Sequence, residues 1–216
     1  IFYFYHRIFN NKGLPDIGFN FTNKKNRLDI VRDIIEKKKY KSYLEIGCFD
    51  DELFGHVNCE IKVGVDPVSG GTVRATSDNF FKNNEDFFDC VFIDGLHEYK
   101  QVKKDIQNSL KFLNKDGIIL LHDCLPNNFY AQATPRCQWE WNGDVWKAIV
   151  ECRTRKDIDV YTCYADFGIG VIKKRPNKNL LEYPKQNYLD LKFIEYHQNH
   201  KKLMNIIEYE DLLRII

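Results

Sequence analysis

No stretch of this 216-residue chain is long and apolar enough to span a bilayer: nothing approaches the roughly 20 consecutive apolar residues a membrane helix needs. The aromatic opening IFYFYHRIF is broken by His6 and Arg7 before it could serve as a signal sequence. Net charge is also lacking. Lys and Arg number 32 against 31 Asp and Glu, so no overall field recommends nucleic acid or an anionic membrane as a partner. The cysteines, Cys48, Cys59, Cys90, Cys124, Cys137, Cys152 and Cys163, are odd in number, contain no CxxC pair and mostly fall in apolar runs. That pattern argues against a disulfide framework or a zinc site and reads as free thiols in a reducing, cytoplasmic compartment. Methionine occurs once, as Met204, and the chain starts at Ile1, which reads as one domain of a longer polypeptide. Repeats and low-complexity linkers are missing, so residues 1–216 form a single domain in this reading, with a core over 28–174 and extensions over 1–27 and 177–216.

What the chain does contain is a regular alternation. NRLDIVRDIIEKKK puts Leu28, Val31, Ile34 and Ile35 on one helical face and closes with lysines suited to a helix C-terminus. Strands are predicted over 42–47, 61–66, 72–75, 88–94 and 117–122. Between the last two, Tyr99, Val102, Ile106, Leu110 and Leu113 recur at helical spacing. Near-continuous apolar strands alternating with such helices indicate a parallel sheet covered on both faces. Then comes DCLPNNFYAQATPRCQWEWNG, a loop of about twenty residues, a length that in compact domains is functional or disordered. A helix over 144–155 follows, and DIDVYTCY and GIGVIKK, separated by ADFG, make an antiparallel hairpin. The predicted fold is α/β, a Rossmann-like, seven-stranded, mostly parallel sheet with helices on both faces and an antiparallel last strand. The tail, with YLDLKFIEY and YEDLLRII, packs as helix on this sheet or on another chain.

In an open parallel sheet, ligands bind at the carboxyl ends of the strands. The informative residues are therefore Glu45 and Gly47, Asp66, Asp94, and His122 with Asp123. Gly47 allows close backbone approach, and Asp66, nineteen residues later, is spaced to accept hydrogen bonds from ribose hydroxyls. Those two features fit NAD equally well. Asp50, Asp51 and Glu52 separate the cases, because a dinucleotide needs bare amides for its pyrophosphate. S-adenosylmethionine has no phosphate, and its sulfonium and amino groups are cationic. The turn reads as a site for a positively charged nucleoside, which opposes a nicotinamide enzyme; a non-catalytic Rossmann-like binding module stays as an alternative.

YLEIGC, VGVDP, FFDCVFIDGLHEYKQVKKDI and GIILLHDCLP, in this order, resemble the class I S-adenosylmethionine-dependent methyltransferases. More narrowly, they resemble the small O-methyltransferases of glycan and natural-product tailoring whose fourth strand ends in IDGxHxY. The resemblance covers residues 28–174. It implies the seven-stranded fold, cofactor contacts from Glu45, Gly47, Cys48, Phe49, Asp66, Pro67, Asp94 and Gly95, and Ser77 and Asp78 near the adenine. Phe49 and Asp51 stand where the family's first motif has glycines.

Methyl transfer is an in-line displacement that needs an aligned acceptor oxygen and removal of its proton. The candidates are Asp94, His97, His122 and Asp123. Some relatives bind a divalent cation through the acid ending strand four and the pair ending strand five, here Asp94 with His122 and Asp123, as Mg or Mn; such cations favour carboxylates over imidazole. The competing account makes His97 or His122 the general base, since imidazole titrates near neutrality. Asp89 and Asp105 read as solvated, Trp146 as core, and ADFG as a plain hairpin turn because no phosphate loop or HRD accompanies it. Trp139 and Trp141, beside Arg136 in the long loop, suit a sugar ring. The expected activity is O-methylation of a hydroxyl on a carbohydrate, in a glycan or a nucleotide sugar, with a glycosyltransferase domain as the natural neighbour in a longer chain. The enzymatic rival is a metal-dependent O-methyltransferase of catechol or other phenols.

Overall fold

The computed structural model describes residues 13–216, and the aromatic opening at residues 1–9 lies outside the described residues. Helix α1 (Arg27–Lys38) begins at Asn26, whose side chain accepts the Asp29 N–H, and ends where Lys39 turns left-handed at φ 54°. Strands β1 (Ser42–Ile46), β2 (Ile61–Asp66) and β3 (Val73–Arg74) lead to α2 (Ser77–Asn83), β4 (Phe88–Ile93), α3 (Tyr99–Lys111) and β5 (Leu113–Leu121). After the long loop, which holds the short α4 (Phe129–Gln132), come α5 (Val145–Arg153), β6 (Asp159–Cys163) and β7 (Ile169–Lys173). The tail adds α6 (Phe193–Met204), β8 (Ile206–Ile207) and α7 (Tyr209–Ile215).

The sheet order is β3-β2-β1-β4-β5-β7-β6-β8. β7 runs antiparallel to both of its neighbours, and every other pairing is parallel. Strand order reverses between β1 and β4, the place where doubly wound sheets open a crevice. Successive residues of each strand face opposite layers. Leu44, Val91, Ile119 and Leu121 pack with Ile106, Trp146 and Ile149 of α3 and α5, while Tyr43, Phe92, Ile118 and Leu120 pack with Ile30 and Ile34 of α1.

Register then decides what meets at the crevice. Ile46 lies opposite Ile93, and Ile93 opposite Leu121. The next residue of each strand, Gly47, Asp94 and His122, therefore emerges from the same row. Asp94 N–H donates to Ile46 C=O at 2.8 Å and His122 N–H to Ile93 C=O at 3.1 Å, which continues the ladder one step into the loops.

Three features differ from the sequence reading, and a further one, the packing of the tail, is decided between the two alternatives it left open. β5 starts at Leu113, which pairs with Phe88 and so ends the helical row early; Ile118 pairs with Cys90, so five steps on β5 oppose two on β4 and residues 114–117 bulge out. The tail packs on its own domain: Tyr196 of α6 lies 4.7 Å from Trp146 between ring centroids, and Leu212 of α7 is buried beside α1. β8 adds an eighth strand to the seven expected. Asp89 is not a solvated acid either, because it accepts the N–H groups of Lys41 and Ser42 and the Asn114 amide, tying β1 to β4. All seven cysteines are free. Among the described residues no helix is long and apolar enough to cross a membrane.

Candidate active site

The crevice is a cavity of about 590 Å³ bounded by Glu45 of β1 and Gly47, Cys48 and Phe49 after it, Asp94, Gly95 and His97 after β4, and His122 and Asp123 after β5. Gly47 has no substitute. At φ 90° a Cβ there would sit 2.3 Å from the Asp94 carbonyl oxygen, so only glycine lets the β1 turn close against β4. Phe49 and Asp51, which replace family glycines, nevertheless adopt glycine-like backbone at φ 48° and 63°. Asp51 is held there by its carboxylate, which accepts the Gly71 N–H at 2.6 Å and so turns away from the cavity. Phe49 projects into solvent, 73% exposed at the rim.

Asp66, Pro67, Ser77 and Asp78 lie outside this wall. The Asp66 carboxylate accepts N–H groups from Val68, Ser69 and Phe49, which lowers its pKa against the opposing effect of burial. Three of about four acceptor positions are thereby taken, so two ribose hydroxyls fit only if one backbone bond is released. Ser77 accepts from Gln101, and Asp78 pairs with Lys104 at 3.0 Å, both at the α2–α3 contact.

The four candidate catalytic side chains converge. His97 Nε2 lies 3.1 Å from Asp94 Oδ1, and its Nδ1 lies 3.2 Å from both Asp123 Oδ2 and the Trp141 carbonyl. His122 Nδ1 lies 3.3 Å from Asp94 Oδ1 and from Asp123 Oδ2. Two further residues belong to the cluster without having been singled out in the sequence. Asp166 of the ADFG turn places Oδ1 3.6 Å from His122 Nε2, and Arg27 places a guanidinium nitrogen 3.4 Å from the same atom while pairing with Glu52 at 3.0 Å. Asp166 also accepts the Arg27 N–H at 2.6 Å, fixing the start of α1 to the hairpin.

Electrostatics separates the two histidines. Burial opposes charge on His122, but Asp94 and Asp123 outweigh it and hold the ring protonated well above the ordinary imidazole range. A proton on Nε2 turned toward Asp166 leaves the Arg27 guanidinium to Glu52 and Asp166. Burial likewise opposes charge on Asp94, yet the two imidazoles keep it ionised far below the usual carboxylate range. His97 is raised more modestly, with burial working against Asp94 and Asp123, and it reaches the cavity. Glu45 is pushed up to about 8 by burial and by nearby Asp94, against the Tyr43 hydroxyl that donates to it at 2.5 Å. Donor atoms of Asp94, His97 and Asp123 lie within 4.8 Å of one another, a set two-thirds carboxylate that fits a divalent cation; His122 is not in that set.

The long loop supplies the outer wall. Trp141 stacks on His97 with centroids 5.3 Å apart and an interplanar angle of 18°, and Arg136 lies 5.5 Å and 5.8 Å from the Trp139 and Trp141 rings. The end of the loop is pinned at Gly143, φ 63°, where a Cβ would strike the His97 carbonyl. Trp139 is 88% exposed at the crest.

Residues 51–124 match the family model described as a methyltransferase domain. Solved structures with the same fold include the Podospora anserina methyltransferase PaMTH1 bound to SAH, at 18% identity and TM-score 0.53, covering 80% of this chain and 93% of that one. The fold is that of a class I methyltransferase. Also similar are cofactor-bound Rv0187 from MTB, at 11% identity and TM-score 0.54 over 74% and 85% of the two chains, and the O-methyltransferase TomG of Streptomyces achromogenes, involved in tomaymycin synthesis and solved with SAM, at 13% identity and TM-score 0.51 over 79% and 86%. No curated protein matches the chain in sequence. In this methyltransferase fold the row Gly47, Asp94 and His122 lies at the strand-order reversal, where the class opens its crevice.

Proposed function

We propose that this domain is an S-adenosylmethionine-dependent O-methyltransferase whose acceptor is a sugar hydroxyl. The observation that carries it is the convergence of Asp94, His97, His122 and Asp123 in one cavity that runs from the Gly47 turn to Trp139 and Trp141. When bound, the cofactor supplies a methyl group activated by its sulfonium. Asp50 and Glu52 face the cavity with carboxylates, which suit the cationic methionine end and repel a pyrophosphate; Glu45, raised to about 8 by burial, faces it as a neutral acid at pH 7. Gly47, Cys48, Phe49 and Gly95 give the nucleoside a close backbone wall, with Asp66 beneath the Phe49 amide.

His97 is the general base of this reading. Both histidines line the cavity, but the His97 ring is 18% exposed there and His122 only 5%; His122 is a buried cation that orients Asp94 and Asp123. Asp94, His97 and Asp123 would instead hold a divalent cation if one binds, and a cation there would make the acceptor hydroxyl more acidic. Arg136, Trp139 and Trp141 form the acceptor wall, rings for the apolar face of a pyranose and a cation beside them for its oxygens.

Mass spectrometry of neutral oligosaccharides incubated with enzyme and S-adenosylmethionine should reveal a gain of one methyl group. His97→Ala and Asp94→Ala should each lower kcat by about 10²–10⁴-fold, with cofactor affinity by calorimetry retained in His97→Ala. Methylation of catechols alone, abolished by EDTA, would replace the sugar with a phenol. Absence of cofactor binding would overturn the donor assignment itself.

A further inference from the structure

The loop that walls the first cavity has a second face. Over residues 138–142 its side chains alternate: Trp139 and Trp141 line the first cavity, whereas Gln138, Glu140 and Asn142 line another of about 410 Å³. The loop is therefore a partition. Phe19, Asn20 and Phe21 close the second cavity from the N-terminal segment, Asn127 and Asn128 from the loop after β5, and Phe167 from the β6–β7 hairpin. Its volume falls in the range of about 300–1,000 Å³ used by small-molecule sites.

At two points a single residue links this cavity to the reaction cluster. Asn142 donates its amide to Asp123 Oδ1 at 2.7 Å, and Phe167 stands edge-on to His122 with centroids 6.3 Å apart. Phe167 and the preceding Asp166 both hold left-handed backbone, φ 58° and 40°. Such conformations cost of order 1 kcal/mol each and persist where the surroundings impose them.

The lining is chemically selective. Phe19, Phe21 and Phe167 supply ring faces and edges. The carboxamide oxygens of Asn127 and Asn128 are taken by the N–H groups of Gly18, Phe19 and Ala131, which leaves their NH₂ donors without partners among the described residues. Among the described residues no lysine, arginine or histidine lines the cavity, whereas Asp16 and Glu140 do. Phosphate or sulfate would meet two acids there and no cation among the described residues. An uncharged polyol can accept from the amides, donate to the acids and lay its C–H face on the phenylalanines.

We propose that the second cavity binds the neighbouring, uncharged sugar unit of an acceptor whose reacting hydroxyl lies at the Asp94–His97–Asp123 cluster. The acceptor is then an oligosaccharide or glycoside, not a nucleotide sugar. This inference rests on the sugar-acceptor reading above.

The test is methyl transfer to one-, two- and three-unit members of neutral gluco-, manno-, galacto- and rhamno-configured series, and to the matching nucleotide sugars. Wild type is compared with Phe21→Ala and Gln138→Ala, and cofactor affinity by calorimetry reports that each variant is folded. In wild type kcat/KM should rise about tenfold from one unit to two, through KM, as expected for one aromatic contact and one or two added hydrogen bonds. Both variants should bring that ratio close to one. A one-unit acceptor as good as its two-unit homologue, a ratio unchanged in both variants, or a preference for nucleotide sugars would overturn the second subsite and leave sugar methylation standing. Should no sugar gain a methyl group, both readings fall together.

Discussion

Asp105 occupies a position on α3 that the helical pattern assigns to solvent, yet it is 1% exposed, with Gln101 donating to it at 3.0 Å. Burial pushes its carboxyl up to about 6, against hydrogen bonds from Ser77 and Gln101. A pKa raised above the unfolded value of about 3.9 contributes stability in full below that value, and the contribution is lost as pH climbs through about 6. At neutral pH the ionised carboxylate gives no such benefit and remains desolvated. Asp105→Asn should therefore raise unfolding stability by roughly 1–3 kcal/mol at pH 7.5, a gain that shrinks toward zero near pH 4. Urea titrations at the two pH values check this, and a difference independent of pH would refute it. Burial of this kind is invisible in a one-dimensional pattern because α2 covers α3 from outside the helical repeat. Arg27 and Asp166 were hidden for a related reason: neither ends a parallel strand, and only the contact of α1 with the β6–β7 hairpin brings them to His122. The convergence of Asp94, His122 and Asp123 was legible because they directly follow the ends of β4 and β5, and that of His97 because it follows Asp94 by three residues.

Helices α5 and α6 are joined through aromatic packing that the sequence only half announced. Trp146 reads as core from its helix, but its partner Tyr196 lies in the tail, whose packing surface the pattern left open. Trp146 is fully buried against that ring. Trp146→Ala should cost about 3–5 kcal/mol, measured as a lower urea midpoint with cofactor affinity retained at low denaturant. A loss under about 1 kcal/mol would mean that α6 is not integral to the domain. The strands and hairpin were readable to within a few residues because β-branched and aromatic runs leave little else to form. The start of β5 was not, since the bulge over 114–117 depends on which residue Phe88 chooses across the sheet. The loop at 136–142 displays QWEWN, an alternation whose meaning appears only when both sides of the segment are seen to be hollow.

At the scale of the molecule, a parallel sheet covered on both faces followed from the alternation of strands and helices, and the class I architecture from the resemblance of motifs such as FIDGLHEY and LLHDC, whereas strand order and register followed from neither. Those depend on pairings between segments far apart in sequence, and they set the row that unites β1, β4 and β5. A cofactor seated across that row should stabilise the whole domain. At a hundred times its Kd, S-adenosylmethionine should add about 2.7 kcal/mol, which for a chain of this size is a rise in Tm of roughly 5–10 °C. Differential scanning fluorimetry reads this directly, and an unchanged Tm at millimolar cofactor would count against the donor.

The sheet also ends in the same way on both sides. Val73–Arg74 forms one margin and Ile206–Ile207 the other, each a strand of two residues. Among the described residues each marginal strand offers a passing chain only two residues of ladder to zip onto, which limits growth of this eight-stranded sheet by edge-to-edge stacking into fibrils.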